Sequence, residues 1–308
     1  MQPSLWRIFL RHHRISDLPV WLLVLLLRLL SFLPLLVLHV IAIAIGFSLY
    51  LLAPSRRAIV RRNLSACFPS MSPEQIRAET IGHFKYLCMG ILTTGRGWWT
   101  SPDRLRKITR TVGAEEFEQS VSEGQNLILL APHFAALEYG GIYLSAHYPM
   151  VSMYQKNKNP LIDTLVKEHR SRFGIIQYGS KEPIKGMIKQ IKKGKPFYYL
   201  PDQDPGRRKG VFAPFFGVQA ATFPALGRIS RMGDAKIIPV CTRILPWGKG
   251  FEIIFLPSIS NYPAGSDSVD TARMNRSIED LVDLTNCQYF WSHKRFKTRP
   301  EGEPEFYS

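Results

Sequence analysis

"NLILLAPHFAALE", residues 126–138, is the stretch on which the fold turns. Six residues, 126–131, read as a strand that stops at Pro132. His133 follows at once, and Glu138 comes five residues later among Ala136, Leu137 and Tyr139. A short apolar run bounded by a helix or turn breaker has the pattern of a buried strand. Similar runs recur as "MVSMY" (150–154), "PFYYL" (196–200), "KIIPVCT" (236–242) and "FEIIFL" (251–256). Helical stretches fall between them. One begins at Asn159-Pro160 and ends near Gly174, and one runs from near Pro183 to Gly194. Others cover about 221–232 and 270–286. This alternation predicts an α/β domain with a mixed, largely parallel sheet flanked by helices.

Upstream, "SMSPEQI" offers Ser72 as N-cap, Pro73 at the first helical position and Gln75 at the third, so a helix is expected from there to about Trp98. A second Ser-Pro start lies at Ser101. Before this body, residues 18–53 are apolar apart from Arg28, His39 and Pro34. From Leu29 to Ala53 no Asp, Glu, Lys or Arg occurs. Twenty-five helical residues reach roughly 37 Å, enough to cross a bilayer core. "PSRRAIVRRN" follows, rather than a small-residue cleavage site, so the segment is expected to be a retained anchor. The domains are then a short basic segment (1–17), a membrane anchor (18–53) and a body (54–308). Arg7, Arg11 and Arg14 lie before the anchor and Arg56, Arg57, Arg61 and Arg62 after it. Their placement leans toward a cytoplasmic body.

The 308-residue chain carries 40 Lys+Arg against 24 Asp+Glu, a net +16. That balance favours an anionic partner: nucleic acid, membrane, phosphorylated lipid or an acidic protein. Cys67, Cys88, Cys241 and Cys287 lie far apart with no zinc spacing, and they read as reduced thiols. No HExxH, P-loop or GxGxxG motif is present.

Ligands of α/β sheets bind beyond the carboxyl ends of the strands, which is where His133 falls. On a regular helix, positions i and i+5 point about 140° apart, so His133 and Glu138 converge only if the histidine sits in the turn and the glutamate in the next helix. A neutral His accepts a hydroxyl proton, and a carboxylate on its other nitrogen fixes the tautomer. No Ser or Cys stands beside the pair, which favours direct attack by a substrate oxygen over a covalent enzyme intermediate. Taken alone, the spacing fits a structural histidine as well.

The joint pattern is more specific. Its pieces, in order, are the anchor, "RRNLSACFP" (61–69), "APHFAALE" (131–138), "YQKNKNPLID" (154–163), "RSRFG" (170–174), "LPDQDPG" (200–206), "VFAPFFG" (211–217) and "WSHKRFKTRPEG" (291–302). In these the chain resembles, over essentially its full length, the bacterial lipid A late acyltransferases, within the glycerolipid-type acyltransferases that share a His-x4-acid motif. The resemblance implies the corresponding α/β fold behind an N-terminal membrane-anchoring helix. It implies a single-pass protein of the bacterial inner membrane whose catalytic domain faces the cytoplasm. The implied activity is O-acyl transfer from acyl carrier protein to the hydroxyl of a 3-hydroxyacyl chain on an anionic, phosphorylated glycolipid, the lipid A precursor. No cofactor, metal or nucleic acid is implied. His133 maps to the general base and Glu138 to its acidic partner, where most members carry Asp. Another lipid acceptor, a lysophospholipid, ornithine-type lipid or glycolipid, would use the same pair.

Further site candidates are Lys156, Asn159, Arg170 and Arg172 for phosphate or sugar groups, and Asp202 and Asp204 as loop-shaping or acceptor-binding carboxylates. One departure is Gln155, where relatives often have Arg after the tyrosine. Phe212, Phe215 and Phe216 fit either an acyl channel or simple core packing. His293, in a basic run, is expected to be interfacial or structural. The helix "PIKGMIKQIKKG" turns Ile184, Ile188 and Ile191 to one face and Lys185, Lys189, Lys192 and Lys193 to the other, either a solvated face or a dock for an acidic partner.

Overall fold

Ser72 does open the longest helix. Its hydroxyl accepts from the Gln75 amide while the Gln75 side chain accepts from the Ser72 amide, a complete capping box. A computed structural model describes residues 5–308. Along the chain run α1 (Leu5–Arg11), α2 (Leu18–Leu30), α3 (Leu35–Leu52), α4 (Pro54–Cys67), α5 (Pro73–Trp99), α6 (Pro102–Lys107), β1 (Thr109–Val112), α7 (Glu115–Ser122) and β2 (Leu127–Leu130). Next come α8 (Leu137–His147), β3 (Val151–Tyr154), α9 (Pro160–Ser171), β4 (Ile176–Gly179), α10 (Ile184–Ile191) and β5 (Phe197–Tyr199). The chain ends with β6 (Val211–Phe215), β7 (Val218–Thr222), α11 (Ala225–Gly233), β8 (Lys236–Ile244), β9 (Phe251–Phe255) and α12 (Asp267–Asp283).

Seven strands form one sheet in the order β1-β9-β8-β2-β5-β3-β4. Every neighbouring pair is parallel except β8–β9, which is antiparallel. The expected class, a mixed and largely parallel sheet flanked by helices, is the one formed. β2 sits at the centre with all four residues buried, because helices cover both sheet faces and leave no polar side.

Two readings change. The helix expected over about 221–232 starts later, because residues 221 and 222 belong to a strand, β7, at 218–222. This strand pairs with β6 as an antiparallel hairpin, and α11 begins only after Pro224. The apolar segment 18–53 is also not one rod. It breaks at residues 31–34, where Pro34 caps α3 and ends any continuation from α2. Both pieces lie on α5. The fit is close at Gly46, where an added Cβ would stand 2.6 Å from the Lys85 Cα. On its other side α5 presses on the loop after β2: a Cβ at Gly90 would lie 1.9 Å from the Ala135 carbonyl oxygen. Of the short basic segment, residues 1–4 lie outside the described part.

Candidate active site

The site follows from strand register. β2 and β5 are parallel neighbours with Leu130 opposite Tyr199. Three residues further along each strand stand His133 and Asp202, so the two arrive side by side at the carboxyl edge. His133 Nδ1 lies 2.7 Å from Asp202 Oδ1, and the His133 amide donates to Asp202 Oδ2 at 2.9 Å. Both carboxylate oxygens are therefore committed to one residue. Asp202 is 2% exposed, whereas the His133 side chain keeps 24% exposure. Among the described residues no protein group hydrogen-bonds His133 Nε2, which leaves that nitrogen for a substrate.

Electrostatics agree with this geometry. Burial pushes the Asp202 carboxyl up. The charge and two hydrogen bonds of His133, with the field of Arg295, outweigh burial and take it down to about 2. His133 is held above its ordinary value of 6.5: burial and Arg170 disfavour its proton, but Asp202 favours it more. Tyr289 is buried beside Asp202, and its phenol is held well above its ordinary range, first by burial and then by the Asp202 charge. His293 accepts the Asp204 amide hydrogen at Nε2 (3.2 Å). Burial lowers its pKa, in keeping with a neutral ring.

Glu138 does not meet His133. The loop between them is tied to the segment before Tyr289, with the Ala135 amide donating to the Gln288 carbonyl. Glu138 then points from the first turn of α8 to Arg170 at the end of α9. Arg170 Nε donates to both carboxylate oxygens (3.1 and 3.0 Å) and Nη2 to Oε2 (2.5 Å), and the Trp98 indole adds a contact at 3.3 Å. The hydrogen-bond partnership expected for Glu138 with His133 is thus taken by Asp202. An i+5 spacing cannot reveal a partner 69 residues away across a sheet.

Glu138 and Arg170 form the charged part of a cavity of about 70 Å³. Its remaining wall is largely apolar, with Leu137, Ile142, Met153, Ile175, Tyr198 and Leu200. Phe212 and Phe216 are absent from it, and Phe215 is buried among Tyr289, Trp291 and Phe296 as core packing. The other candidates are placed as follows. Asn159 Oδ1 caps α9 by accepting the Leu161 and Ile162 amides. Arg172 donates to the Gly97 and Trp98 carbonyls and braces α9 on α5, outside the cavity. Asp204 shapes its own loop by accepting from the Gly206 amide and from the Thr298 amide and hydroxyl. Lys156 is exposed in the loop after β3, at the same sheet edge as His133, beside exposed Gln155. Tyr289, His293 and Arg295 were missed as site neighbours. Their only mark in the sequence is the aromatic-basic run "YFWSHKRF", which does not say where it folds back.

A family model described as bacterial lipid A biosynthesis acyltransferase matches residues 8–298. A lipid A biosynthesis lauroyltransferase of Escherichia coli K12 is 37% identical over 253 residues, 82% of each chain. A lipid A biosynthesis acyltransferase of Haemophilus influenzae is 32% identical over 286 residues, 92% of this chain and 89% of its own. The Escherichia coli palmitoleoyltransferase of the same pathway is 31% identical over 253 residues.

Proposed function

Because the chain belongs to the bacterial lipid A biosynthesis acyltransferases, we propose that it moves a fatty acyl group from acyl carrier protein to the hydroxyl of a 3-hydroxyacyl chain on a lipid A precursor, at the inner membrane with its body on the cytoplasmic side. The observation that carries the mechanism is the His133–Asp202 pair with Nε2 open, next to an apolar cavity. His133 Nε2 takes the acceptor hydroxyl proton as the oxygen attacks the thioester carbonyl. The new C–O bond forms, the C–S bond breaks, and the proton passes from Nε2 to the departing thiolate. Asp202 keeps Nδ1 protonated and steadies the imidazolium. The first carbons of the acyl tail enter the cavity lined by Leu137 and Ile142.

The Ala135 amide, in the loop beside His133, does not stabilise the oxyanion, because it already donates to the Gln288 carbonyl. Arg170 is better suited. Its field reaches His133, and Glu138 holds its guanidinium in place. Glu138 is then the positioning partner of Arg170 rather than of the base.

Acyl carrier protein must present its thioester at the carboxyl edge. The basic face of α10 does not fit well there. In the β4–α10–β5 crossover this helix runs back to the amino edge, where Gly194, just past Lys192 and Lys193, lies against Gly124 before β2. Exposed Arg208 and Lys209, in the loop after Asp202, and Lys156 and Lys158, after β3, stand at the reacting edge instead.

Purified enzyme offered tetra-acylated lipid A precursor with acyl carrier proteins of several chain lengths gives one product mass, increased by one acyl group. Fragmentation then places it on a 3-hydroxyacyl chain. No mass gain there, with transfer to a lysophospholipid instead, overturns the acceptor assignment.

A further inference from the structure

We propose that the outer face of α1–α3, together with the tip of the β8–β9 hairpin, binds one leaflet of an anionic phospholipid bilayer in plane, so that α3 lies along the membrane and does not cross it. At 18 residues α3 reaches about 27 Å and is apolar enough to span. Its surroundings argue otherwise. The chain on either side of α3 is fastened to the same body. Before it, His12 Nε2 contacts Thr164 Oγ1 of α9 at 3.2 Å, and the Arg96 guanidinium of α5 donates to the Leu33 carbonyl. After it, the Asn63 amide donates to the Trp291 and His293 carbonyls at 2.8 and 2.9 Å. A crossing helix would send one flank to the far side of the bilayer, and here neither leaves the body.

Between its ends α3 is docked along its length. Leu38, Ala42, Gly46 and Tyr50 form a buried stripe, each four residues from the last, closed onto α5 at Gly46. A membrane around α3 would therefore have to admit α5 too, and α5 is one close contact (Gly90 to Ala135) from the catalytic loop. The opposite side of α3 exposes Leu36, Val40, Phe47 and Leu51, and α2 exposes Leu22, Leu25, Leu26 and Leu29. So large an exposed apolar face needs an occupant.

Two features commit the occupant to lipid. From residue 18 to residue 73 the chain has no Asp or Glu and five Arg, the balance that suits anionic headgroups. Beside α3, the hairpin tip Pro246–Gly248 presents Trp247 to solvent at 61% exposure. Its backbone is held at φ 55°, ψ 35°, left-handed for a bulky residue, and its ring is 5.3 Å from His39. An outward Trp level with an apolar helix, followed by exposed Lys249, is the arrangement of an interfacial anchor. A conformation unfavourable for Trp is kept here because the Gly248 backbone abuts that of Leu36, fixing the tip to α3.

The inference holds whichever lipid accepts the acyl group, and its test does not depend on turnover. Single cysteines are placed at exposed Ser16 and Ser65 of the full chain (Ser16→Cys, Ser65→Cys), with the unsubstituted chain as baseline. Sealed inside-out membrane vesicles are treated with an impermeant maleimide. In-plane binding predicts equal labelling of both without permeabilisation. Labelling of one only after permeabilisation overturns the proposal. A second arm floats Trp247→Ala with 3:1 phosphatidylethanolamine/phosphatidylglycerol vesicles. A several-fold loss of bound protein is expected, with wild-type binding weaker on phosphatidylcholine alone. Unchanged flotation together with a halved mass by light scattering shows instead that a second copy covers this face, and sinks the lipid assignment.

Discussion

In the proposed reaction His133 and Asp202 carry the chemistry, and their coupling sets how the site responds to pH. His133 is raised, so the stability it adds is complete below pH 6.5 and is lost as pH rises through its folded value. Asp202 is lowered from 3.8 to about 2, so its contribution is present above 3.8 and is lost only as pH falls toward 2. Both members of the pair hold between these limits. His133→Ala should remove transfer by about 10²–10⁴-fold while far-UV circular dichroism stays unchanged, since a general base supplies that much and the side chain is partly exposed. Near wild-type turnover in that variant would contradict its role. Of these residues, His133 was legible in the sequence because a strand, a proline and a histidine adjoin. Asp202 was named only as a loop or acceptor-binding group, since its partnership depends on the 130–199 register, which no local spacing encodes. Asn159 and Arg172 looked like ligand contacts because their types suit phosphate and sugar, yet both are consumed by backbone groups.

At the level of elements, α8 closes the cavity. Gly141 lines it, and a Cβ there would sit 3.4 Å from Tyr198, ordinary contact distance. Gly141→Leu should therefore fold and fill the cavity. A competition assay with acyl carrier proteins of different length should show the preference move to shorter chains; an unmoved preference would mean that the tail lies elsewhere. The strands read from apolar runs all appear, as do the helices announced by Ser72, Ser101 and Asn159, because caps and buried runs are local signals. β1 and β4 were not legible. None of their residues is buried, since both are edge strands at the ends of the sheet. The β6–β7 hairpin was hidden in "VFAPFFGVQAAT", whose phenylalanines fitted either a channel wall or core packing; Phe215 packs against Tyr289 and Trp291, and Phe216 against Trp291.

For the whole molecule, the proposed reaction brings an acidic carrier protein and a membrane-held acceptor to the carboxyl edge together. Charge reversal of Arg208 and Lys209 to Glu should raise the KM for acyl carrier protein about tenfold, with kcat little changed, as for rim charges that steer association. The same reversal at Lys192 and Lys193, on the far edge, should do much less. Equal effects would return the docking surface to α10. The anchor was legible as apolar but not as to its path, because hydropathy counts residues and does not see that Gly46 seats α3 on α5. That seating leaves one helix layer, α5, between α3 and the loop that carries His133.

The most direct measurement is the pH dependence of single-turnover acyl transfer by wild type, Asp202→Asn and Glu138→Gln. Wild type should show an acid limb centred above pH 6.5. Asp202→Asn should be slower and have its limb displaced to lower pH, while Glu138→Gln should lose rate with the limb displaced far less. The reverse pattern, a limb that moves with Glu138 and stays with Asp202, would contradict the assignment of Asp202 as the partner of the base.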